Sequence, residues 1–137
     1  MGVGYTKNRG YSLAKGEYIA TLDSDDWLNT EDYNKLIDLT YKLDQDRIIF
    51  PMVYNDGRIS DGTVRTGTCA QFIKKDFLVR NELTFNPEHR RAEDWFLRME
   101  YEKIPHSVVR IQGLVPYHYN NPREGSLTWN WNHRNDT

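Results

Sequence analysis

The sequence predicts a mixed α/β fold, and three observations carry that expectation. Short apolar runs with strand length and strand composition occur at Tyr18–Leu22, Arg47–Phe50 and Val64–Ile73. Between them, the segment after Asn29 repeats Tyr33, Leu36, Ile37, Thr40 and Tyr41 at helical spacing, with Leu43 near its end. Turn-forming residues at Asn55-Asp56-Gly57 and Asp61-Gly62 punctuate what lies between. Strands interleaved with amphipathic helices form a sheet covered by helices.

Element by element, Thr6 to Lys15 reads as a short helix with Gly16 as its C-terminal stop. Glu17 to Leu22 is the first strand. Asn29 caps the following helix, because its side chain can accept from an orphan N–H of the first turn. Arg47 to Phe50 begins a second strand, and Pro51, which has no N–H to donate, predicts a bend or a sheet edge there. The two turn signals predict a β-ribbon, Val64 to Ile73 another strand, and Lys74 to Arg80 a short helix. Glu93 to Lys103 is expected to be helical with Trp95, Phe96 and Met99, and Leu97 beside them, facing inward. Ser107–Ile111 and Leu114–Tyr119 close the fold as short strands, and the polar tail after Gly125 carries Trp129 and Trp131.

At 137 residues the chain has the size of one domain, and a formal charge of −2 gives no basic footprint for nucleic acid. Aromatic residues make up 13% of the chain, enough to line a sugar or base site, although core filling accounts for most aromatics. Cys69 is the single cysteine, so no intramolecular disulfide forms and a reducing compartment is allowed. Gly67 to Phe72 around it reads as packed strand. No apolar run reaches the ~18 residues that span a bilayer, and the N-terminus lacks a signal-peptide core. The expectation is a soluble cytoplasmic protein.

Two acidic constellations carry the chemistry. Asp23-Ser24-Asp25-Asp26 ends the first apolar strand, and carboxylates so close together raise one another's pKa unless a cation or several donors offset them. Hard cations such as Mg²⁺ or Mn²⁺ are the usual compensation, and in open α/β sheets ligands sit beyond the carboxyl ends of strands. The plain alternative is an acidic turn entering a helix. Glu93-Asp94 opens a predicted helix, where orphan N–H groups and the dipole favour ionised carboxylates suited to general-base work.

The pieces occur in a recognisable order: Lys7-Asn8-Arg9-Gly10, Ala14-Lys15-Gly16-Glu17-Tyr18-Ile19, Leu22-Asp23-Ser24-Asp25-Asp26-Trp27, Leu83-Thr84-Phe85, Glu93-Asp94-Trp95 and Val115-Pro116-Tyr117-His118-Tyr119. In this combination the chain resembles a family 2 glycosyltransferase of the GT-A fold. The resemblance implies a truncated, Rossmann-like GT-A mixed sheet flanked by helices. It implies metal-dependent, inverting transfer of a sugar from a UDP-sugar, UDP-glucose or UDP-galactose among the candidates, to an acceptor hydroxyl, with slow donor hydrolysis as a side reaction.

Residue by residue, the resemblance assigns Asp23 and Asp25 to the metal and nucleotide-sugar site, with Asp26 beside them. Mn²⁺ or Mg²⁺ is the implied cofactor. His118 is a further candidate ligand. Asp94 becomes the catalytic base, with Glu93 positioning the acceptor or sugar. Lys7 and Asn8 fall near the diphosphate, Lys7 standing where Arg is commoner. Trp27 and Trp95 are candidates for stacking on sugar faces. The family's opening strands and uracil-contacting Asp have no counterpart here, so a shortened nucleotide-binding half is expected. The Tyr18–Leu22 strand then has an open apolar edge, which predicts a homo-oligomer or a partner chain covering it. A different class of function fits the same loss: a non-catalytic nucleotide-sugar or carbohydrate-binding remnant acting as an interaction module. An Asp-x-Asp phosphatase fits poorly, because Trp27 stands where that pattern has Thr or Val.

Overall fold

The computed structural model describes residues 3–60, 69–86 and 93–122, with side chains throughout except at Val3 and residues 93–96. The elements run α1 (Val3–Leu13), β1 (Tyr18–Ala20), β2 (Trp27–Leu28), α2 (Thr30–Leu43), β3 (Arg47–Ile49), β4 (Met52–Tyr54), β5 (Ile59–Ser60), β6 (Gln71–Lys74), α3 (Lys75–Arg80), α4 (Glu93–Tyr101), β7 (Val108–Arg110) and β8 (Tyr117–Tyr119). The expected mixed α/β fold is borne out. The expected positions Val64–Thr68, Asp61-Gly62, Trp129 and Trp131 lie outside the described residues.

Local chemistry sets the helices. Asn29 caps α2 as expected, its Oδ1 accepting from the Asp32 N–H at 3.2 Å, and Asp44 closes the helix in a left-handed conformation at φ +48°. α1 starts ahead of Thr6 and ends short of Lys15. Gly4 lets its first turn lie against residues 85–86, where a Cβ would sit 3.4 Å from the Asn86 carbonyl oxygen. In α4 the expected inward position of Leu97 is met and that of Met99 is not, while the side chains of Trp95 and Phe96 lie outside the described ones. Leu97 and Tyr101 are buried, i to i+4, while Met99 is 45% exposed.

The strands form two sheets, ordered β1-β6-β3-β7 and β2-β8-β4-β5. In the first, β6 pairs antiparallel with both β1 (Ile19 opposite Ile73) and β3 (Ile48 opposite Phe72), and β7 runs parallel to β3. In the second, β8 pairs antiparallel with β2 and parallel to β4, and β4 and β5 form the ribbon predicted around Gly57, whose φ is +86°. Pro51 stands at the joint where the chain leaves β3 for β4 and changes sheet. β7 and β8 make the same crossing alongside.

Because side chains alternate along a strand, the first sheet carries a separate core on each face. Leu36, Ile48, Phe50 and Phe72 cluster with Met52, Ile111 and Tyr117 on the α2 side. Ile19, Ile73, Phe77, Leu78, Leu83, Phe85, Leu97 and Tyr101 form the other, against α3 and α4. Cys69 is buried in the first cluster, as its packed reading expects. Among the described residues no helix is long and apolar enough to cross a membrane.

Candidate active site

The acidic turn Asp23–Asp26 joins β1 in one sheet to β2 in the other. A backbone hydrogen bond from the Asp26 N–H to the Asp23 carbonyl at 3.0 Å closes it. Ser24 and Asp25 at its tip are exposed, and Asp23 and Asp26 are half-buried.

Asp26 faces the protein. Its Oδ2 accepts from the Tyr117 hydroxyl at 2.5 Å and its Oδ1 from the Asn120 N–H at 2.8 Å. Burial pushes this carboxyl above the ordinary carboxylate range, with the bonds from Tyr117 and Asn120 pulling the other way. Burial, together with the nearby Cys69 and Asp26, also drives the Tyr117 phenol strongly upward, so it keeps its proton and donates. The same hydroxyl oxygen receives the Asp23 N–H at 3.3 Å.

His118 and Trp27 are cross-strand partners in β8 and β2, and their rings stack at 3.7 Å between centroids and 16° between planes. His118 Nε2 also meets Asn55 Oδ1 at 2.8 Å, so the ring donates from that nitrogen. Trp27 is 48% exposed and borders a cleft of about 460 Å³ with Leu28, Val53, Ile59 and Val115. The exit of the turn is fixed from below: the Asn29 N–H donates to the Pro116 carbonyl at 2.8 Å, and the Val115 N–H to Asp32 Oδ2 at 2.9 Å.

The expected metal set of Asp23, Asp25, Asp26 and His118 is therefore not gathered. Among the described residues no three His, Cys, Asp or Glu side chains form a group that could hold a metal ion. The physical reason is visible in two of the four: Asp26 spends both oxygens on Tyr117 and Asn120, and His118 is engaged with Asn55 and Trp27. The hard oxygens of Asp23 and Asp25 fit Mg²⁺ or Mn²⁺, which keep several non-protein ligands and use only one or two carboxylates.

Asn8 does structural work. Its Nδ2 donates to the Phe85 carbonyl at 2.6 Å and its Oδ1 accepts from the Phe85 N–H at 2.7 Å, clamping α1 to the irregular segment 83–86 ahead of α4. Lys7 lies beside it with Nζ 5.3 Å from the Phe85 ring centroid. Glu93, Asp94 and Trp95 open α4, and their side chains lie outside the described ones. The far end of α4 is anchored on β3. The buried Arg47 donates through Nη1 to Glu102 Oε1 at 3.1 Å and to His106 Nε2 at 3.3 Å, and its guanidinium lies 4.6 Å from the Tyr101 ring centroid. Because Arg only donates, His106 carries its proton on Nδ1, which bonds the Ile104 carbonyl at 2.6 Å.

Sequence reasoning missed Tyr117, Asn120 and Asn55. Tyr117 and its neighbours were visible only as part of a family-like segment, with no local signal that its hydroxyl meets the acidic turn.

The family model for glycosyl transferase family 2 matches residues 1–104. No curated protein matches the sequence. Among solved structures, S. aureus TarS matches at 18% identity and a TM-score of 0.76, over 87% of this chain and 24% of that one. TarS 1–349 in complex with UDP matches at 19% identity and a TM-score of 0.74, over 87% of this chain and 40% of that one. TarS 1–349 in complex with UDP-GlcNAc matches at 20% identity and a TM-score of 0.76, over 91% and 40%. The chain thus spans about a quarter to two-fifths of these TarS chains, and at these identities the likeness shows a shared GT-A-type fold.

Proposed function

From the premise that the chain belongs to glycosyl transferase family 2, we propose that it transfers a sugar from a UDP-sugar to an acceptor hydroxyl, with inversion and with a divalent cation. The observation that carries this is the acidic turn, which lies inside the matched region at the carboxyl end of β1 and is held by two hydrogen bonds to one buried hydroxyl. TarS solved with UDP-GlcNAc makes that donor the first to try, alongside UDP-glucose.

In this proposal Asp23 and Asp25 would hold Mn²⁺ or Mg²⁺, which when bound would supply positive charge to offset a diphosphate leaving group. Asp26 keeps the turn in shape rather than ligating. Asp94, at the start of α4, takes the proton of the acceptor hydroxyl as its oxygen bonds to the anomeric carbon and the bond from that carbon to the diphosphate breaks. Glu93 orients the acceptor or sugar, Lys7 lies near the diphosphate, and Trp27, with Trp95 as a second candidate, offers an aromatic face to a sugar ring. A cytoplasmic site of action fits both a nucleotide-sugar donor and a single, buried cysteine.

Calorimetric titration of UDP, UDP-GlcNAc and UDP-glucose with and without Mn²⁺, on wild type and Asp25→Ala, tests the donor site. Metal-dependent binding that disappears in the variant is expected; equal binding by both proteins overturns the assignment. Donor turnover unaffected by Asp94→Asn removes Asp94 as base, and binding without any turnover leaves a nucleotide-sugar-binding module in place of an enzyme.

The proposal includes a second copy of the chain at β1. β1 is an edge strand among the described residues. The Lys75 N–H donates to the Glu17 carbonyl at 3.0 Å, so by antiparallel alternation the peptide groups of Tyr18 and Ala20 point away from β6. Clefts of about 260 and 180 Å³ flank that edge, one lined by Tyr11, Ile19 and Leu78, the other by Tyr18, Ala20 and Tyr33. Two such edges are self-complementary about Ile19, Tyr18 of each facing Ala20 of the other. Size-exclusion chromatography with light scattering is expected to show a dimer that Ala20→Pro dissociates; a micromolar monomer refutes it.

A further inference from the structure

We propose that Tyr117 is a positioning residue for the acidic turn: its hydroxyl, fixed in the core, sets where Asp23 and Asp25 stand for the cation. The inference rests on the metal-dependent reading above and adds a residue that the family-based assignment leaves without a role.

Tyr117 belongs to β8, is 2% exposed, and packs in the cluster with Phe50, Phe72 and Ile111. Its ring is therefore held by packing on the core side of the turn. The hydroxyl has one proton and two lone pairs. The proton goes to Asp26 Oδ2, at one end of the turn, and a lone pair receives the Asp23 N–H, at the other end. A single oxygen thus joins both ends of a four-residue loop. Asn120, three residues along the same segment, occupies the remaining Asp26 oxygen through its N–H.

The consequence is a division of labour among like residues. Asp26 faces inward as the anchor, and the turn is held in one shape with Asp25 at its exposed tip. Carboxylates in a loop that wanders bind a cation weakly, since each binding event must order them; a preformed loop removes that ordering. Partners that orient metal ligands typically change metal affinity by about 10–100-fold when removed.

Tyr117→Phe keeps the ring volume and removes both bonds. With Mn²⁺ as the probe, followed by the electron paramagnetic resonance of the free ion in the presence of UDP, this variant is expected to bind about 10–100-fold more weakly than wild type. Asp26→Asn is expected to weaken binding by a similar factor, and the double variant to be no worse than the worse single one, because the two act as one unit. Phe77→Leu, a core change in the separate cluster on the other face of the first sheet, controls for lost stability: it lowers the melting temperature while leaving Mn²⁺ affinity unchanged. Amide exchange gives a second readout, with the Asp23 N–H expected to exchange faster in Tyr117→Phe. Wild type that takes up Mn²⁺, with Tyr117→Phe matching it in affinity and in Asp23 exchange, overturns the positioning role. Additive losses in the double variant also overturn it. Wild type that takes up no Mn²⁺ even with UDP overturns the metal reading itself, and the positioning role with it.

Discussion

Replacing Asn8 by Ala removes the clamp between α1 and the segment leading to α4. Two bonds are lost, at 2.6 and 2.7 Å, and both partners are backbone groups of Phe85, a residue with 0% exposure. An unpaired buried N–H or carbonyl costs about 1–3 kcal/mol. The contacts are only part-buried, so water reaches them to some degree and the lower half of that range applies to each group. The sum is about 2–4 kcal/mol, which for a domain of this size corresponds to a fall of about 6–16 °C in melting temperature. Asn8→Asp sharpens the test. It retains an acceptor for the Phe85 N–H but sets a carboxylate against the Phe85 carbonyl, so it is expected to be at least as unstable at neutral pH and to recover when acidified.

Circular dichroism melts and urea titrations of the three proteins provide the measurement. Asn8→Ala melting within about 1 °C of wild type refutes the clamp, as does Asn8→Asp of parental stability at pH 7. Donor affinity measured well below every midpoint separates a clamp from a direct diphosphate contact: a clamp moves the melting temperature first, and a direct contact moves the affinity even in fully folded protein.

Other perturbations follow from the same geometry. Burial pushes Glu102 upward, but hydrogen bonds and attraction from Arg47 and Arg98 outweigh it and hold the carboxyl below its ordinary 4.5. A depressed acid contributes stability above its unfolded value and loses it as pH falls through the folded one. Wild type should therefore lose melting temperature below about pH 4.5, and Glu102→Gln should lose part of that pH slope; an unchanged slope refutes the pairing. Leu36→Ala, at a residue with 0% exposure under the first sheet, is expected to cost about 3–5 kcal/mol by urea unfolding, and a loss under about 1 kcal/mol contradicts the packing described for α2.

What could be read from sequence was what local chemistry decides. The α2 helix was legible because Asn29 caps it and its apolar spacing is helical, both within one segment. The ribbon around Gly57 was legible for the same reason. Two-residue β2 was not, since Trp27 and Leu28 become a strand only by pairing with Tyr117 and His118 in β8. The inward face of α4 was misjudged at Met99, because the helix rotates to bury Leu97 and Tyr101, the latter against Arg47. At the site, the acidic turn announced itself through charge density at a strand end. Its three Asp residues looked equivalent, and what distinguishes Asp26 is a bond to a hydroxyl far along the chain.

The acidic turn bridges two sheets, and this restricts its length in a way ordinary surface loops escape. Upstream, Ala20 is held opposite Phe72; downstream, Trp27 is held opposite His118. Deleting or inserting one residue between them must slide one strand by one position, which reverses the side on which every following side chain of that strand emerges. Trp27 would leave His118 and point to the opposite face of the second sheet. Substitutions at the exposed Leu22 and Ser24 leave both registers in place, whereas changes in residue number between Ala20 and Trp27 are forbidden by registers set on both flanks.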